Sequence, residues 1–268
     1  MLHSHLSRAF FLLPVAGVLV LTSSLSQAKD NESAKAKGLK IAKICDEAAR
    51  GYKGEKSSVM MEIASAHGDK LSRKISLNKA ELSQDEETSM LTVLSPADVK
   101  NTKLLTRGKS ESEDDQWLYL PAMKRVKRIS SQLKTGSFMG SEFTYEDLGT
   151  KDIARYDHIF VREDEVNGRP VWVLEQKPRS ESGYLREVVW YDQEYKAPVK
   201  IEFFDRKNEP LKVAEFSSYK RFGDRWWRPT KISMKNLQNR KSSVMTWEKR
   251  QVGLRLPASS FESENLKE

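Results

Sequence analysis

The chain has 268 residues, 38% of them apolar and 9% aromatic, enough to bury a sizeable core, which excludes a disordered or fibrous protein. Its 46 lysines and arginines exceed 38 acidic residues, and the resulting charge of +8 suits nucleic acid, an anionic membrane surface or plain solubility. A single cysteine, Cys45, excludes an internal disulfide framework and any cysteine-built zinc or iron–sulfur cage.

Residues 1–8 carry one arginine and two histidines, residues 9–21 are apolar, and Ser26-Gln27-Ala28 presents the small residues a signal peptidase reads. The pattern predicts a cleavable signal peptide over 1–28 and a mature domain over 29–268. A membrane anchor fits less well, because the run falls short of the ~20 residues that span a bilayer and contains Pro14. Export places the protein in the periplasm, away from nucleic acid. Residues 29–37 are polar and expected to fray. Residues 39–50 then set Ile41, Ile44, Cys45 and Ala48 at helical spacing, one amphipathic helix with Cys45 as a buried small hydrophobe.

From residue 57 the period becomes two. Val59, Met61 and Ile63 precede the Gly68-Asp69 turn, and Ile75 and Leu77 follow it, which predicts a hairpin. Asn167-Gly168, between apolar runs at 159–162 and 171–176, is a strong signal for a second hairpin. Strands are expected at 184–191, 199–204, 211–219, 226–235 and 244–248, separated by turns such as Lys207-Asn208-Glu209-Pro210 and Gly223-Asp224. So many strands without intervening helices predict a single mainly β domain (α+β), built as a strongly curved antiparallel sheet or barrel. Breaks in pairing are expected near Ser95-Pro96 and between Ile129 and Tyr156.

Strand alternation collects Val188 and Trp190, Ile201 and Phe203, Ile232 and Met234, and Met245 and Trp247 on one face. That face is either an ordinary core against the N-terminal helix or, since one short helix is a small cover, the lining of a cavity for an apolar ligand. Trp190, Phe203, Met234 and Trp247 are its bulkiest members.

Enzyme chemistry finds little support. His67 and His158, the histidines beyond the leader, lack metal-ligand spacing, and Ser137 is displaced from the centre of a nucleophile elbow. The acidic run at 111–115 reads as a solvated loop. Trp226-Trp227 is either a sugar platform or one ring on each face of a strand. No catalytic residue, metal or cofactor is expected.

The densest information lies at 116–148: Trp117-Leu118-Tyr119-Leu120-Pro121, Lys124-Arg125-Val126-Lys127-Arg128-Ile129, Gly136-Ser137-Phe138-Met139-Gly140-Ser141 and Tyr145-Glu146-Asp147-Leu148. This succession closely resembles the outer membrane lipoprotein-sorting protein family. The resemblance extends through Trp227-Arg228-Pro229, Met234-Lys235-Asn236 and the closing segment 261–266, with Glu142 standing where an aspartate is usual. It implies a half-open antiparallel β-barrel of the LolA/LolB type, lidded by helix, whose apolar concave face takes acyl chains. The function it implies is a periplasmic lipid or lipoprotein carrier, with an inner-membrane transporter and an outer-membrane acceptor as partners. The alternative is an envelope-stress regulator of the same fold that binds a membrane protein.

The expected lipid contacts are Trp117, Tyr119, Phe138, Met139, Phe143, Trp190, Phe203, Met234 and Trp247. Gly136 and Gly140 would let Phe138, Met139 and Phe143 form a mobile lid, the competing reading being a fixed plug in the core. Lys124, Arg125, Lys127 and Arg128 are read either as a docking patch for anionic headgroups or an acidic membrane partner, or as charges that keep a barrel edge soluble.

Overall fold

The computed structural model describes residues 19–267, with side chains from Asp30 onward. The expected leader up to residue 18 lies outside the described residues, and the side chains of the cleavage motif at 26–28 lie outside them as well. Helix α1 spans Leu19–Ala49. Thirteen strands follow in one antiparallel sheet: β1 Gly54–Ala64, β2 Lys70–Glu81, β3 Glu86–Ser95, β4 Lys103–Lys109, β5 Asp115–Leu120, β6 Arg125–Ile129, β7 Tyr156–Val166, β8 Arg169–Pro178, β9 Arg186–Asp192, β10 Ala197–Phe204, β11 Pro210–Phe222, β12 Trp226–Asn236 and β13 Ser242–Val252.

Residues 29–37, expected to fray, are helical instead. Alanine and lysine are good helix formers that need no buried face to continue a helix already nucleated by packing. The anchored part begins at Gly38. Its absent side chain lets α1 approach the β7 backbone so closely that an added Cβ would lie 2.7 Å from the His158 carbonyl oxygen. From there Ile41, Ala42 and Cys45 pack on Leu174 of β8.

The strand order is β6-β5-β4-β3-β2-β1-β13-β12-β11-β10-β9-β8-β7. Two meanders, β1 to β6 and β7 to β13, are therefore joined by a single long-range pairing of β1 with β13, which sets Met61 opposite Met245. The turn at Asn167-Gly168 has φ of 52° and 77°, both positive, as the tightest hairpin connections demand. The two free edges, β6 and β7, are consecutive in the chain and do not pair with each other. The result is the half-open barrel, with α1 as the helical part of its cover.

The concave face holds the main core, drawn from both meanders: Met61, Ile75, Val93 and Leu104 from one, Val189, Phe203, Ala214 and Met234 from the other. The convex face is also covered at the β3–β5 end. There Met90, Leu105 and Tyr119 pack under Phe261 and Leu266 of the closing segment, which Arg107 holds by donating to the Phe261 carbonyl at 2.8 and 3.1 Å.

That arrangement corrects three sequence expectations. Trp117 and Tyr119 face the C-terminal segment on the convex side, because Leu118 between them takes the concave position. Trp190 is likewise convex, in a small cluster with Val171 and Val173. Ile201 and Phe203 stand opposite Val189 and Glu187 in the ladder, so the concave members of β9 are Glu187 and Val189.

Candidate functional site

The linker from β6 to β7 crosses the open concave face, and its central stretch is the motif at 136–148. Phe138 is fully buried and Phe143 is 4% exposed; Met139, with a left-handed φ of 53°, packs half-buried against the same core. The segment closes on itself through a Phe138 N–H donated to the Phe143 carbonyl at 2.8 Å. It is tied to β12 and β13 through Glu142, whose N–H donates to Ser243 Oγ at 2.9 Å and whose Oε2 accepts from Asn236 Nδ2 at 2.7 Å. In this arrangement the segment sits as a plug, with two phenylalanines inside the core.

A buried ion pair anchors the far end of the plug. Asp147 pairs with Lys212 of β11, the two side chains being 5% and 2% exposed. Asp147 also accepts from Thr144 N at 2.7 Å and Tyr184 Oη at 2.8 Å. Burial pushes its carboxyl upward, but Lys212 and the hydrogen bonds outweigh burial and hold it below the ordinary carboxylate range. Glu146 accepts from Gly183 N at 2.9 Å, so both acids of the Tyr145-Glu146-Asp147-Leu148 motif fasten the linker to the second meander.

The plug leaves two apolar lobes. The larger, about 360 Å³, lies between α1 and β8–β12. Its roof is Ala42, Cys45 and Ala49, its floor Val189, Ile201, Phe203, Ala214 and Met234. Trp227 forms a side wall, its ring 4.5 Å from that of Tyr195. Burial pushes the Cys45 thiol up to about 12, so at neutral pH it is a protonated wall group. The second lobe, about 250 Å³, is lined by Val59, Ile75, Leu77, Leu91, Met245 and Trp247. Phe143, Asp147, Arg228 and Ile232 line both, so the plug is the partition between them. A third, polar volume of about 250 Å³ opens beside them, bounded by Tyr52, Glu55, Lys79, Glu87, Lys151 and Arg155.

Polar groups at the edge of the larger lobe are mutually satisfied. Lys151 Nζ donates to Glu187 Oε1 at 3.1 Å, and burial pushes Glu187 above the ordinary carboxylate range against the pull of Lys151. His158 Nε2 lies 2.8 Å from the Ile153 carbonyl and its Nδ1 3.2 Å from Gln176 Nε2. A neutral ring that donates from Nε2 and accepts at Nδ1 fits both. Among the described residues no cluster of three His, Cys, Asp or Glu side chains is placed to hold a metal ion.

Of the nine expected lipid contacts, Phe143, Phe203 and Met234 line the larger lobe, and Phe143 and Trp247 line the second. Phe138 and Met139 belong to the core beneath, and Trp117, Tyr119 and Trp190 to the other face. Lys124, Arg125, Lys127 and Arg128 are all exposed. Lys124 occupies a left-handed turn position before the strand, the other three lie along the free edge β6, and Arg128 pairs with Asp115. Sequence reasoning missed Tyr191, Tyr219 and Arg228 as cavity groups. For Arg228 a signal existed in the Trp227-Arg228-Pro229 motif, but nothing local says which way the guanidinium turns.

A family model described as "Uncharacterized protein" matches residues 85–268. No curated protein matches the chain. Among solved structures, an outer membrane lipoprotein-sorting protein domain from Vibrio parahaemolyticus is 37% identical with a TM-score of 0.85, over 87% of this chain and 100% of that one. A DUF1329 family protein from Desulfovibrio piger is 27% identical with a TM-score of 0.83, over 87% and 99%. A LolA superfamily protein from Nitrosomonas europaea shares the fold at 20% identity and a TM-score of 0.68, over 85% and 98%.

Proposed function

The chain belongs to the outer membrane lipoprotein-sorting protein family, and from that premise we propose that it is a periplasmic carrier that shields the acyl chains of a lipid or lipoprotein on its concave face. The observation that carries the reading is the pair of apolar lobes: the plug and α1 cover the curved sheet without filling it. Each methylene taken from water into such a lobe contributes about 0.8 kcal/mol, so a carrier needs shape and apolar lining rather than covalent chemistry. On this reading residues 1–28 direct export, the domain over 29–268 is the carrier, and cargo passes from an inner-membrane donor to an outer-membrane acceptor. Phe143, Phe203, Met234 and Trp247 are the proposed acyl contacts, and Lys124, Arg125, Lys127 and Arg128 the proposed contacts to an anionic membrane surface.

The test is a titration of the folded, delipidated chain with a fluorescent fatty-acid probe, read through quenching of tryptophan emission. Saturable binding is expected, since Trp227 and Trp247 stand in the lobes. A folded chain that takes up no apolar probe would refute the carrier.

A further inference from the structure

Arg228 is common to all three volumes: it lines the larger apolar lobe, the smaller one and the polar space outside them. Its guanidinium lies 5.3 Å above the Tyr52 ring. It donates to the Ala49 carbonyl at 2.8 Å and the Trp227 carbonyl at 3.3 Å, which leaves part of its fork of five donors unused. Among the described residues it pairs with no carboxylate, although carboxylates surround it. Each of these is already engaged: Glu87 by Lys79 at 2.9 Å and Tyr52 Oη at 2.9 Å, Glu55 by Arg250 at 2.9 Å, and Asp46 by Arg50 at 2.6 Å. The neighbouring cations Lys151 and Arg250 are equally committed, to Glu187 and Glu55. Lys196 and Lys109 each border one of these volumes, so Arg228 is, among the described residues, the cation without a carboxylate partner that borders all three, where two apolar lobes and a polar vestibule meet.

Resting on the carrier reading, we propose that the cargo is a two-chain anionic glycerophospholipid, with one acyl chain entering each lobe and its phosphate seated on Arg228. A planar guanidinium matches phosphate oxygens with paired N–H donors. The Phe143 partition separates the two chains, and the polar volume gives the rest of the headgroup access to water. A single-chain fatty acid would leave one lobe empty, and a neutral diacylglycerol would leave Arg228 without an anion.

The experiment compares the delipidated full chain with Arg228→Gln and Leu77→Trp variants in titrations with short-chain phosphatidylglycerol, the matching diacylglycerol and lysophosphatidylglycerol. Inorganic phosphate serves as a competitor. Arg228→Gln is expected to weaken phosphatidylglycerol about tenfold or more, as removal of a charge-assisted hydrogen bond does, while diacylglycerol changes less than about twofold. Leu77→Trp narrows the second lobe and is expected to weaken both two-chain lipids while sparing the lyso form. Millimolar phosphate that displaces no lipid marks the site as one for a headgroup carried on chains; displacement as effective as by lipid would overturn it in favour of a free-anion site. Should Arg228→Gln fail to fold, Arg228→Lys carries the test, because it keeps the charge and loses the fork; a several-fold loss confined to phosphatidylglycerol is expected. Equal loss for charged and neutral lipids, or none, would overturn the phosphate assignment while leaving the carrier intact. No binding of any of the three lipids by the parent would remove both.

Discussion

The ion pair between Asp147 and Lys212 gives the sharpest test of the plug. Replacing Lys212 by methionine keeps most of its volume but strands Asp147, 5% exposed, and removes the bond from Nζ to the Glu142 carbonyl at 3.1 Å. Breaking one partner of a buried pair costs about 3–5 kcal/mol. For a domain of this size that lowers the thermal midpoint by roughly 6–20 °C. Urea denaturation measures the loss directly. The double variant Lys212→Met/Asp147→Asn should recover part of it, because asparagine no longer carries the stranded charge, its Oδ1 can still accept from Thr144 N, and its Nδ2, in place of the other oxygen, can donate to Tyr184 Oη. Acid titration supplies an independent sign. Asp147 is held below its unfolded value near 3.9, so its stabilisation is complete above that pH and is lost as pH falls through the depressed folded value. Lys212→Met should lose that share of the acid sensitivity. A single-variant cost below about 1 kcal/mol, the range of an exposed pair, would show that the motif at 136–148 is not clamped and moves as a lid.

Gly38→Ala is expected to destabilise by about 1–3 kcal/mol, since its Cβ would lie 2.7 Å from the His158 carbonyl oxygen and 2.8 Å from Phe160 N; an unchanged urea midpoint would mean that α1 does not seat there. Burial holds the His158 imidazole below its ordinary value over the counter-pull of its bond to Ile153. Its neutral form therefore stabilises the fold above pH ~6.5, and stability should fall as pH drops from there toward the folded value, a slope that His158→Gln should abolish. For the proposed membrane contact, Arg125→Glu with Lys127→Glu should lower flotation with anionic liposomes, each exposed charge contributing about 1 kcal/mol at low salt and less as salt rises. Equal, salt-independent flotation of variant and parent would leave those residues as edge protection only.

The sequence was most readable where one face of the sheet meets water. Strands β10 to β13 of the second meander alternate, and two of its turns carry Asn167-Gly168 and Gly223-Asp224, so pattern and punctuation agree there. In β3 and β4 they do not: Met90 and Leu91, like Leu104 and Leu105, are adjacent and all buried. The closing segment covers the convex side there while the main core covers the concave one. A strand buried on both faces loses its period of two. Trp190 departs from its expected face for the opposite reason. The concave face of β9 opens with Glu187, 1% exposed and satisfied by Lys151, so a charged residue occupies the inner face and the bulky alternates Val188 and Trp190 look like the core.

The same logic explains why the central motif announced the family but concealed its own role. Read locally, Gly136 to Leu148 is a loop with glycines, exposed-looking acids and two phenylalanines, and a flexible cover is the natural inference. Its behaviour is decided by Lys212, Asn236 and Ser243, each more than sixty positions away. These residues reach it only because β1 pairs with β13 and brings the second meander over the gap between β6 and β7. In this open sheet the free edges are consecutive in the chain, and the linker between them crosses the concave face. That linker can either leave the face to a ligand or fill it. Here it fills the middle with Phe138 and Phe143 and is pinned at Glu142 and Asp147, so the remaining apolar space is divided into two lobes instead of one trough. The division follows from topology and long-range polar bonds together, and neither is written in the spacing of residues along the motif.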